Sequence, residues 1–273
     1  MKKLSVLILA VTATVGLYAQ TQPVRMFAHR GGRHEFEENT LATFKKSSQM
    51  GMNGFETDVR LTADGVFVIS HDANMKRMFG EDMIIEESTL EELRKLRTPE
   101  GSPIMTLDEL LDFLKHRRNL YVEFEMKVTD VNAYPQDKLE KYCDALFEKV
   151  MAAKPSDATF LLTSFDTRAL RYLTVKHPEG DYLFISGDPV SDKTVAQAQA
   201  LGIKRIGCNL SGTSRSAVAK AHEAGMIVSL WPGTSFGDFL CGVCLGADYL
   251  CSDIPIEVVR KTAVNASWVN LIH

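Results

Sequence analysis

Residues 54–72, GFETDVRLTADGVFVISHD, decide the fold. In the first half of this stretch, Phe55 and Val59 fall on one face of a predicted strand, because side chains alternate with period two. Glu56 and Asp58 fall on the opposite face, although the surrounding pattern predicts a strand that is buried on both sides. Two carboxylates that point into a protein interior need nearby positive charge.

Short runs rich in β-branched and aromatic residues alternate with amphipathic helical segments along the rest of the chain. This alternation predicts parallel pairing of the strands. Eight repeats in about 250 residues fit an α/β fold of the TIM-like (β/α)8 barrel type better than an open sheet. The predicted strands are Val24–His29, Gly54–Arg60, Leu120–Lys127, Thr159–Ser164, Tyr182–Gly187, Lys204–Leu210, Met226–Trp231 and Ala247–Cys251.

The predicted helices lie between these strands. Two of them open with capping boxes, in which Thr89 is followed by Glu92 and Thr106 by Glu109. The helices are predicted over Thr40–Met50, Thr89–Leu96, Thr106–Lys115, Ala133–Met151, Thr167–Val175, Lys193–Leu201, Ser214–Ala224 and Ser235–Leu245.

One departure from strict alternation follows the second strand. The sequence Ala63-Asp64-Gly65 is a turn signal, so residues 66–70 are expected to pair back on the second strand as a hairpin. Residues 71 to about 103 then form a small insertion before the third barrel strand. We expect this insertion to cap one end of the barrel.

The first 20 residues, MKKLSVLILAVTATVGLYAQ, have the layout of a secretory signal peptide. Two lysines precede an uncharged run from Leu4 to about Leu17. This run is shorter than the roughly 20 apolar residues of a membrane-spanning helix. We therefore expect cleavage after residue 20, a barrel domain over residues 21–273, and export to a periplasm or the extracellular space without stable membrane insertion.

Charge and cysteine content argue against two other classes of function. The formal net charge is −4, and loss of Lys2 and Lys3 with the signal segment makes it more negative, which disfavours nucleic-acid binding.

The five cysteines cannot all pair internally. Cys241 and Cys244 form a CxxC motif, but a zinc site would lack its second pair of ligands. Cys244 follows the apolar spacing of a helix face and is predicted to be a small core residue.

Polar side chains occur at the predicted ends of three strands, where catalytic groups gather in a parallel barrel. The segments are His29-Arg30-Gly31-Gly32, Glu56-Thr57-Asp58 with His71-Asp72, and Glu123-Phe124-Glu125-Met126-Lys127. Their carboxylates supply the oxygen ligands that Mg²⁺ or Ca²⁺ prefers. An ion network with Arg30, Arg60 and Lys127 is the alternative. The coincidence of three strand ends with two histidines favours a functional metal site.

Several short motifs occur in one order along the chain. They are HRGG at His29, EENT at Glu37, ETD at Glu56, HD at His71, EMK at Glu125, SFD at Ser164 and SDIP at Ser252. Together they resemble the glycerophosphodiester phosphodiesterase family over essentially the whole mature chain. The resemblance implies a TIM-like barrel that uses a divalent metal to hydrolyse glycerophosphodiesters, giving an alcohol and glycerol 3-phosphate.

The resemblance also implies a role for each matching residue. These roles are metal ligation by Glu56, Asp58 and Glu125, acid–base catalysis by His29 and His71, phosphate contact by Arg30, and added positive charge from Lys127. In this family the attacking group is thought to be the substrate's own 2-hydroxyl, which gives a cyclic phosphate that water then opens.

Five further features affect the substrate site. Asn39 either caps the helix that it precedes or contacts the substrate. Glu123 is either a partner of the metal ligands or itself a ligand, and Trp231 is expected to line the pocket for the glycerol or the leaving group. Glu37 replaces a proline that is common in the family. Pro232-Gly233-Thr234 replaces the common Thr-Val-Asn, which affects the alcohol part of the substrate more than the chemistry.

Two other functions fit the same scaffold. The first is a phospholipase C- or D-type phosphodiesterase that acts on a lysolipid, sphingomyelin or a phosphoinositide. An exposed apolar rim that included Phe236 and Phe239 would favour it, but their helical spacing predicts core positions. The second is a catalytically silent barrel that binds phosphodiesters. Loss of either histidine or of the acid pair would favour it, and all of these residues are present.

Overall fold

The computed structural model describes residues 22–273, so the predicted signal segment lies outside the described residues. The strands are β1 Val24–Ala28, β2 Gly54–Leu61, β3 Phe67–Ile69, β4 Met105–Thr106, β5 Tyr121–Met126, β6 Thr159–Ser164, β7 Tyr182–Pro189, β8 Arg205–Asn209, β9 Ile227–Gly233, β10 Tyr249–Ser252 and β11 Leu271–Ile272. Eight of them form a parallel barrel in the order β1, β2, β5, β6, β7, β8, β9, β10. Strand β1 closes it by pairing with both β10 and β2. The predicted (β/α)8 barrel is confirmed.

The helices that follow the strands form the outer layer. They are α1 Leu41–Gln49, α2 Lys76–Phe79, α3 Leu90–Leu93, α4 Leu107–Leu114, α5 Gln136–Ala153, α6 Thr167–Lys176, α7 Asp192–Ala200, α8 Arg215–Glu223, α9 Phe236–Leu245 and α10 Pro255–Asn265. Both predicted capping boxes are present, with Thr89 and Glu92 at α3 and with Thr106 and Glu109 at α4. Within residues 22–273, no helix combines the length and the apolar character needed to cross a membrane.

The register between β2 and β5 brings acidic residues together. Glu56 lies opposite Glu123, and Asp58 lies opposite Glu125. Each of these four residues is at most 8% exposed. Because side chains alternate along both strands, this register places all four carboxylates on the inner face of the barrel.

The hairpin after β2 forms, with Val59 of β2 opposite Ile69 of β3 in antiparallel register. The segment between β3 and β4 contains α2, the 3₁₀ turn Ile85–Glu87 and α3. It has a small core of its own, made by Val68, Met75, Ile85, Leu93 and Ile104. An ion pair of 2.7 Å between Arg60 Nη1 and Glu86 Oε1 joins this segment to β2.

Apolar side chains fill the lower part of the barrel. The buried residues of this inner cluster are Phe27, Tyr121, Leu161, Leu183, Ile185 and Cys251. The ring of Tyr121 stacks on that of Tyr249, with 4.6 Å between centroids. A separate and larger core lies between the outer faces of the strands and the helices. The inner cluster closes the barrel from below and leaves its C-terminal end for a site.

Two expectations for the C-terminal third need correction. Cys244 is exposed rather than part of the core. Helix α9 buries Phe239 and Gly242 against the barrel, and Cys244, five residues after Phe239, lies roughly 140° around the helix. Helix α10 and strand β11 were not predicted. Pro255 at the first turn of α10 was the available signal for that helix.

Candidate active site

A cavity of about 190 Å³ opens at the C-terminal end of the barrel strands. One half of its wall is polar and consists of His29, Arg30, Glu56, His71, Glu123, Glu125 and Lys127. The other half is made by apolar and small residues, namely Phe27, Phe165, Leu183, Ile185, Gly207, Ser229, Trp231 and Cys251. The strand ends that sequence motifs marked as polar therefore do converge on one site.

Three carboxylates at this site are arranged as a candidate metal centre. One oxygen each from Glu56, Asp58 and Glu125 lies within 4.8 Å of the other two. Two buried oxygens, Glu56 Oε1 and Asp58 Oδ1, have no hydrogen-bond partner among the residues that the structure describes. Buried acceptors without partners are costly, so this group fits a bound cation. Glu123 lies outside the group.

Electrostatics within the carboxylate group point the same way. Burial and the neighbouring charges of Asp58 and Glu125 raise the pKa of Glu56 well above its usual range. Burial also raises the pKa of Glu125, although Lys127 opposes the shift. For Asp58, burial would raise the pKa, but the charges of Lys127 and Arg30 outweigh it and lower the pKa. The protein's own cations therefore do not fully compensate this group.

Two cations contact the carboxylates directly. Lys127 Nζ lies 2.8 Å from Glu125 Oε1 and 3.5 Å from Asp58 Oδ1. Arg30 Nε lies 3.3 Å from Asp58 Oδ2, and its Nη1 donates to Glu38 Oε1 at 3.1 Å. The ion network considered from the sequence thus exists in part.

Arg60 does not join that network. Its guanidinium pairs with Glu86 and donates to the His71 carbonyl oxygen. In the part of the chain that the structure describes, Glu56 Oε1 and Asp58 Oδ1 accept no hydrogen bond, and Lys127 Nζ approaches Asp58 Oδ1 only to 3.5 Å. Ion pairing with the protein's own cations therefore does not account for the carboxylate cluster on its own.

The turn after β1 places Arg30 by means of an unusual backbone conformation. Arg30 has φ 51°, in the left-handed region that non-glycine residues rarely adopt. Its backbone N–H donates to Glu56 Oε2 at 3.0 Å. Gly31 follows with φ 82°, and a Cβ there would lie 2.8 Å from Thr43 Cγ2. Strained backbone of this kind is typical of functional sites.

His29 is held by a carboxylate from the far end of the chain. Its Nδ1 is hydrogen-bonded to Asp253 Oδ1 at 2.5 Å, and its Nε2 lies 3.8 Å from Glu56 Oε2. Asp253 is fully buried and forms a second ion pair, of 3.0 Å, with Arg33 Nε. Burial lowers the pKa of His29, although the hydrogen bond to Asp253 opposes the shift. Since Asp253 accepts at Nδ1, Nε2 is the nitrogen available in the cavity.

His71 has a matching arrangement at the end of the hairpin. Its Nδ1 is hydrogen-bonded to Asp72 Oδ1 at 2.7 Å. Asp72 is held in turn by Arg77, whose guanidinium also donates to Glu38. Burial lowers the pKa of His71, while the charge of Asp58 opposes the shift. Both predicted catalytic histidines are therefore fixed through Nδ1.

Asn39 does not cap α1, because Thr40 accepts the backbone N–H of Thr43 and is the cap residue. The Asn39 side chain instead donates to Asp58 Oδ2 at 2.8 Å and accepts from Thr57 Oγ1 at 3.2 Å. These contacts place Asn39 behind the carboxylate group, where it orients Asp58.

Trp231 does line the cavity, as expected. Its Nε1 donates to the Gly207 carbonyl oxygen at 3.2 Å. The ring of Phe165 packs edge-on against it, with 5.7 Å between centroids. The indole is thus fixed in place at the apolar side of the mouth.

Glu37, which replaces the family's proline, links the first site loop to the insertion. Its carboxylate accepts from Thr98 Oγ1 at 2.6 Å and from the Glu100 backbone N–H at 3.1 Å. This departure from the family pattern therefore has a structural role between two loops.

Two site residues were missed in the sequence. Asp253 and Asp72 stand within quoted motifs, SDIP and HD, but neither was assigned a role. For Asp72 the signal was its position directly after His71. For Asp253 no local signal exists, since 224 residues separate it from His29.

Known proteins are similar to this chain in sequence and in fold. The profile of the glycerophosphoryl diester phosphodiesterase family matches residues 29–234. A glycerophosphodiester phosphodiesterase of Bacillus altitudinis is 22% identical over 86% of this chain and 97% of its own length. Another, from Caldanaerobacter subterraneus, is 34% identical over 42% of this chain, and the match spans about half, 51%, of that relative.

Two solved structures extend the comparison to the fold. A putative glycerophosphoryl diester phosphodiesterase from Silicibacter pomeroyi has a TM-score of 0.79 at 23% identity, over 89% of this chain and 94% of its own. A phosphodiesterase from Oleispira antarctica, in complex with the product sn-glycerol-3-phosphate, has the same TM-score and identity over 89% of this chain and 100% of its own. The resemblance drawn from the motifs is confirmed, and the chain belongs to the glycerophosphoryl diester phosphodiesterase family of hydrolases.

Proposed function

We propose that the protein is an exported, divalent-metal-dependent enzyme that hydrolyses small-molecule glycerophosphodiesters to an alcohol and glycerol 3-phosphate. One observation carries the proposal. His29 and His71, each fixed at Nδ1 by a carboxylate, line the cavity that adjoins the group formed by Glu56, Asp58 and Glu125. Membership of the family supports the substrate class.

Glu56, Asp58 and Glu125 would hold the cation. The donor set consists only of carboxylate oxygens, which suits Mg²⁺ or Ca²⁺ better than softer metals. The orphaned oxygens of Glu56 and Asp58 support the fit. When bound, such a cation supplies Lewis-acid stabilisation of the negative charge on phosphoryl oxygens.

Arg30 and Lys127 would bind the non-bridging phosphate oxygens. Both side chains line the cavity and lie beside the carboxylate group. A phosphodiester carries one negative charge and gains density on its equatorial oxygens during attack. Fixed cations in a buried site stabilise that increase strongly.

His29 and His71 would act as the acid–base pair through their Nε2 atoms. One ring takes the proton from the attacking oxygen, and the other protonates the departing alkoxide. The base is the neutral ring, a form that burial favours by lowering the pKa. The acid starts as the imidazolium, with a proton on Nε2 to give and a carboxylate at Nδ1 to stabilise its charge.

The attacking oxygen would be the substrate's own 2-hydroxyl. Its attack gives a cyclic phosphate, which water then opens to glycerol 3-phosphate. Phosphorus NMR during turnover is expected to detect the cyclic species. An analogue without the 2-hydroxyl that is hydrolysed at an undiminished rate would contradict this step.

The lipid-directed alternative has less support. Phe239 is 2% exposed and stacks on the half-buried Phe236, with 6.0 Å between centroids. These two residues therefore form part of the core rather than an apolar rim for membrane contact. Retention of both histidines and of the acid pair likewise disfavours a catalytically silent barrel.

The assay that tests the proposal measures release of glycerol 3-phosphate from glycerophosphocholine and glycerophosphoethanolamine. It compares the chelated protein with protein after Mg²⁺ or Ca²⁺ is restored. We expect turnover only with the cation, and a loss of at least about 10²-fold in His29→Ala. His116→Ala, an exposed histidine outside the cavity, is the matched control. Absence of turnover in a folded, cation-loaded protein would overturn the proposal and direct attention to lysolipids, sphingomyelin and phosphoinositides.

Export is supported by the layout of residues 1–20. When the full chain is expressed in a bacterium with a secretion pathway, we expect the exported product to begin at Thr21. Mass spectrometry of the intact protein measures this. A product that keeps Met1 and stays in the cytosolic fraction would contradict the proposal.

A further inference from the structure

The cavity continues into the barrel below Asp58 and Glu125. Six of its lining residues lie two positions before a residue that is near the C-terminal end of the same strand or directly follows it, which places them roughly 6–7 Å deeper. They are Phe27, Glu123, Leu183, Gly207, Ser229 and Cys251. Small residues leave this deeper space open, because a Cβ on Gly207 would already lie 3.0 Å from Leu183 Cδ2.

Glu123 is the carboxylate of this deep part. Its side chain is 5% exposed, and Oε1 accepts a hydrogen bond from the Tyr121 hydroxyl at 2.5 Å. Among residues 22–273, the Tyr121 hydroxyl is the hydrogen-bond donor to Glu123, and the charge of Arg205 acts on the carboxylate only from beyond ion-pair distance. Tyr121 is itself fixed between the rings of Phe27 and Tyr249. The carboxylate is therefore held rigidly, with acceptor capacity that the protein leaves unused.

The metal group does not use Glu123. The three clustered oxygens come from Glu56, which lies opposite Glu123 in the strand register, and from Asp58 and Glu125, one strand step above it. A buried carboxylate with unused acceptor capacity is costly unless a partner arrives. The polar partner expected in this cavity is the substrate.

The dimensions of the deep part suit one portion of that substrate. With the phosphate beside Arg30 and Lys127, a three-carbon chain that extends downward has about the length of the strand step to Glu123. Apolar walls from Phe27 and Leu183 suit its carbon–hydrogen face. Beyond Glu123 the barrel is filled by Tyr121, which is 1% exposed, so no channel continues for a longer chain.

We propose that Glu123 is a specificity-determining residue, which accepts a hydrogen bond from the terminal hydroxyl of the substrate's glycerol and selects against glycerol acylated at that hydroxyl. This inference rests on the proposed function and adds the substrate feature that the site recognises. An acylated terminal oxygen has no proton to donate, and its chain has no space below Glu123.

The test compares two phosphodiesters that differ in one hydroxyl. Glycerophosphocholine has the terminal hydroxyl, and 2-hydroxypropyl phosphocholine keeps only the 2-hydroxyl. In the wild type we expect kcat/KM to favour glycerophosphocholine by about 10- to 100-fold, because the analogue leaves a buried acceptor unpaired. In Glu123→Met the ratio of the two kcat/KM values should fall to about 3 or less. Glu123→Gln can still pair with a hydroxyl and should keep most of the preference. Glu148→Met, the same substitution at an exposed glutamate outside the cavity, is the control and should leave the ratio unchanged.

A ratio that Glu123→Met leaves unchanged would overturn the inference, since a purely structural role lowers the rates of both substrates equally. Rapid hydrolysis of 1-hexanoyl-glycerophosphocholine by the wild type would also overturn it. Calorimetric binding of glycerol 3-phosphate and of 2-hydroxypropyl phosphate supplies a readout that does not need turnover. If neither diester is hydrolysed, the proposed function fails, and the same loss of preference in Glu123→Met binding would still support the hydroxyl contact.

Discussion

At the residue scale, Asp253 determines the state of His29. Because it is buried and accepts at Nδ1, it fixes the orientation of the ring and leaves Nε2 in the cavity. Asp253→Asn would offer an amide N–H to Nδ1 and favour the tautomer with its proton on Nε2. We expect kcat for glycerophosphocholine to fall by about 10²- to 10⁴-fold, with a smaller change in KM.

The matched control for this variant is Asp248→Asn. Asp248 directly precedes the same strand, β10, and also pairs with a histidine, His222, but outside the cavity. Its replacement is expected to leave kcat within about twofold, as for a substitution away from the site. Equal losses of kcat in the two variants would contradict the role of Asp253.

The contrast between Glu56 and Asp253 shows which site residues could be predicted. Glu56 and Asp58 could be identified because their spacing of two, in a strand with apolar neighbours, already places both on one inner face. The bond between His29 and Asp253 could not, because it depends on β1 and β10 being neighbours across the closed barrel. The unused hydrogen-bond acceptor of Glu123 could not be predicted either, because it depends on the shape of the cavity around that side chain.

At the scale of elements, the start of α4 combines a capping box with an ion pair. Glu109 caps Thr106 and also accepts from Arg94. Burial would raise the pKa of Glu109, but the hydrogen bonds from Arg94 and the Thr106 backbone lower it below the ordinary 4.5. Because the folded-state pKa is lower than the unfolded one, this stabilisation is present above about pH 4.5 and is lost as the pH falls through the folded-state pKa.

Glu109→Gln tests this pH dependence, since glutamine keeps the capping geometry and removes the charge. At pH 7 we expect the variant to be less stable by about 0.5 kcal/mol, the scale of a partly exposed ion pair. The difference should shrink as the pH is lowered below about 4.5, as measured by urea unfolding at a series of pH values. Glu91→Gln, on the exposed side of α3, is the control. A difference for Glu109→Gln that stays constant as the pH falls would show that the charge is not its cause.

Helix starts of this kind are predictable because a capping box is a pattern of four consecutive residues. The exposure of Cys244, by contrast, cannot be predicted from the residues next to it in the sequence. It depends on how closely α9 approaches β10, and Gly242 sets that approach, because a Cβ there would collide with Leu250. Apolar periodicity correctly predicted the helix but misplaced the edge of its buried face.

At the scale of the whole molecule, the carboxylate group proposed to bind the cation is expected to lower the stability of the cation-free protein. Burial and the charges of Asp58 and Glu125 raise the pKa of Glu56, so its ionised form is unfavourable in the cation-free protein. After chelation at pH 7, Glu56→Gln is therefore expected to melt at a higher temperature than the wild type. Removing this proposed ligand should also remove most of the cation response.

Differential scanning calorimetry with and without Mg²⁺ or Ca²⁺ measures both effects. At a cation concentration 100 times Kd, binding stabilises the wild type by about 2.7 kcal/mol. For a chain of this size that is a rise of roughly 5–10 °C in Tm. With the cation bound, the wild type should therefore melt at a higher temperature than Glu56→Gln. Glu148→Gln, on the exposed face of α5, should behave like the wild type. A cation response in Glu56→Gln equal to that of the wild type would exclude Glu56 as a ligand.

Strands β1 and β10 are neighbours in the barrel although they come from opposite ends of the chain. A ribosome that has not yet released residues 249–253 therefore carries a chain in which His29 has no carboxylate at Nδ1. Every other barrel strand emerges before that partner does. A chain that ends before residue 249 therefore lacks both the strand that closes the barrel and the carboxylate partner of His29, and we expect it to be inactive.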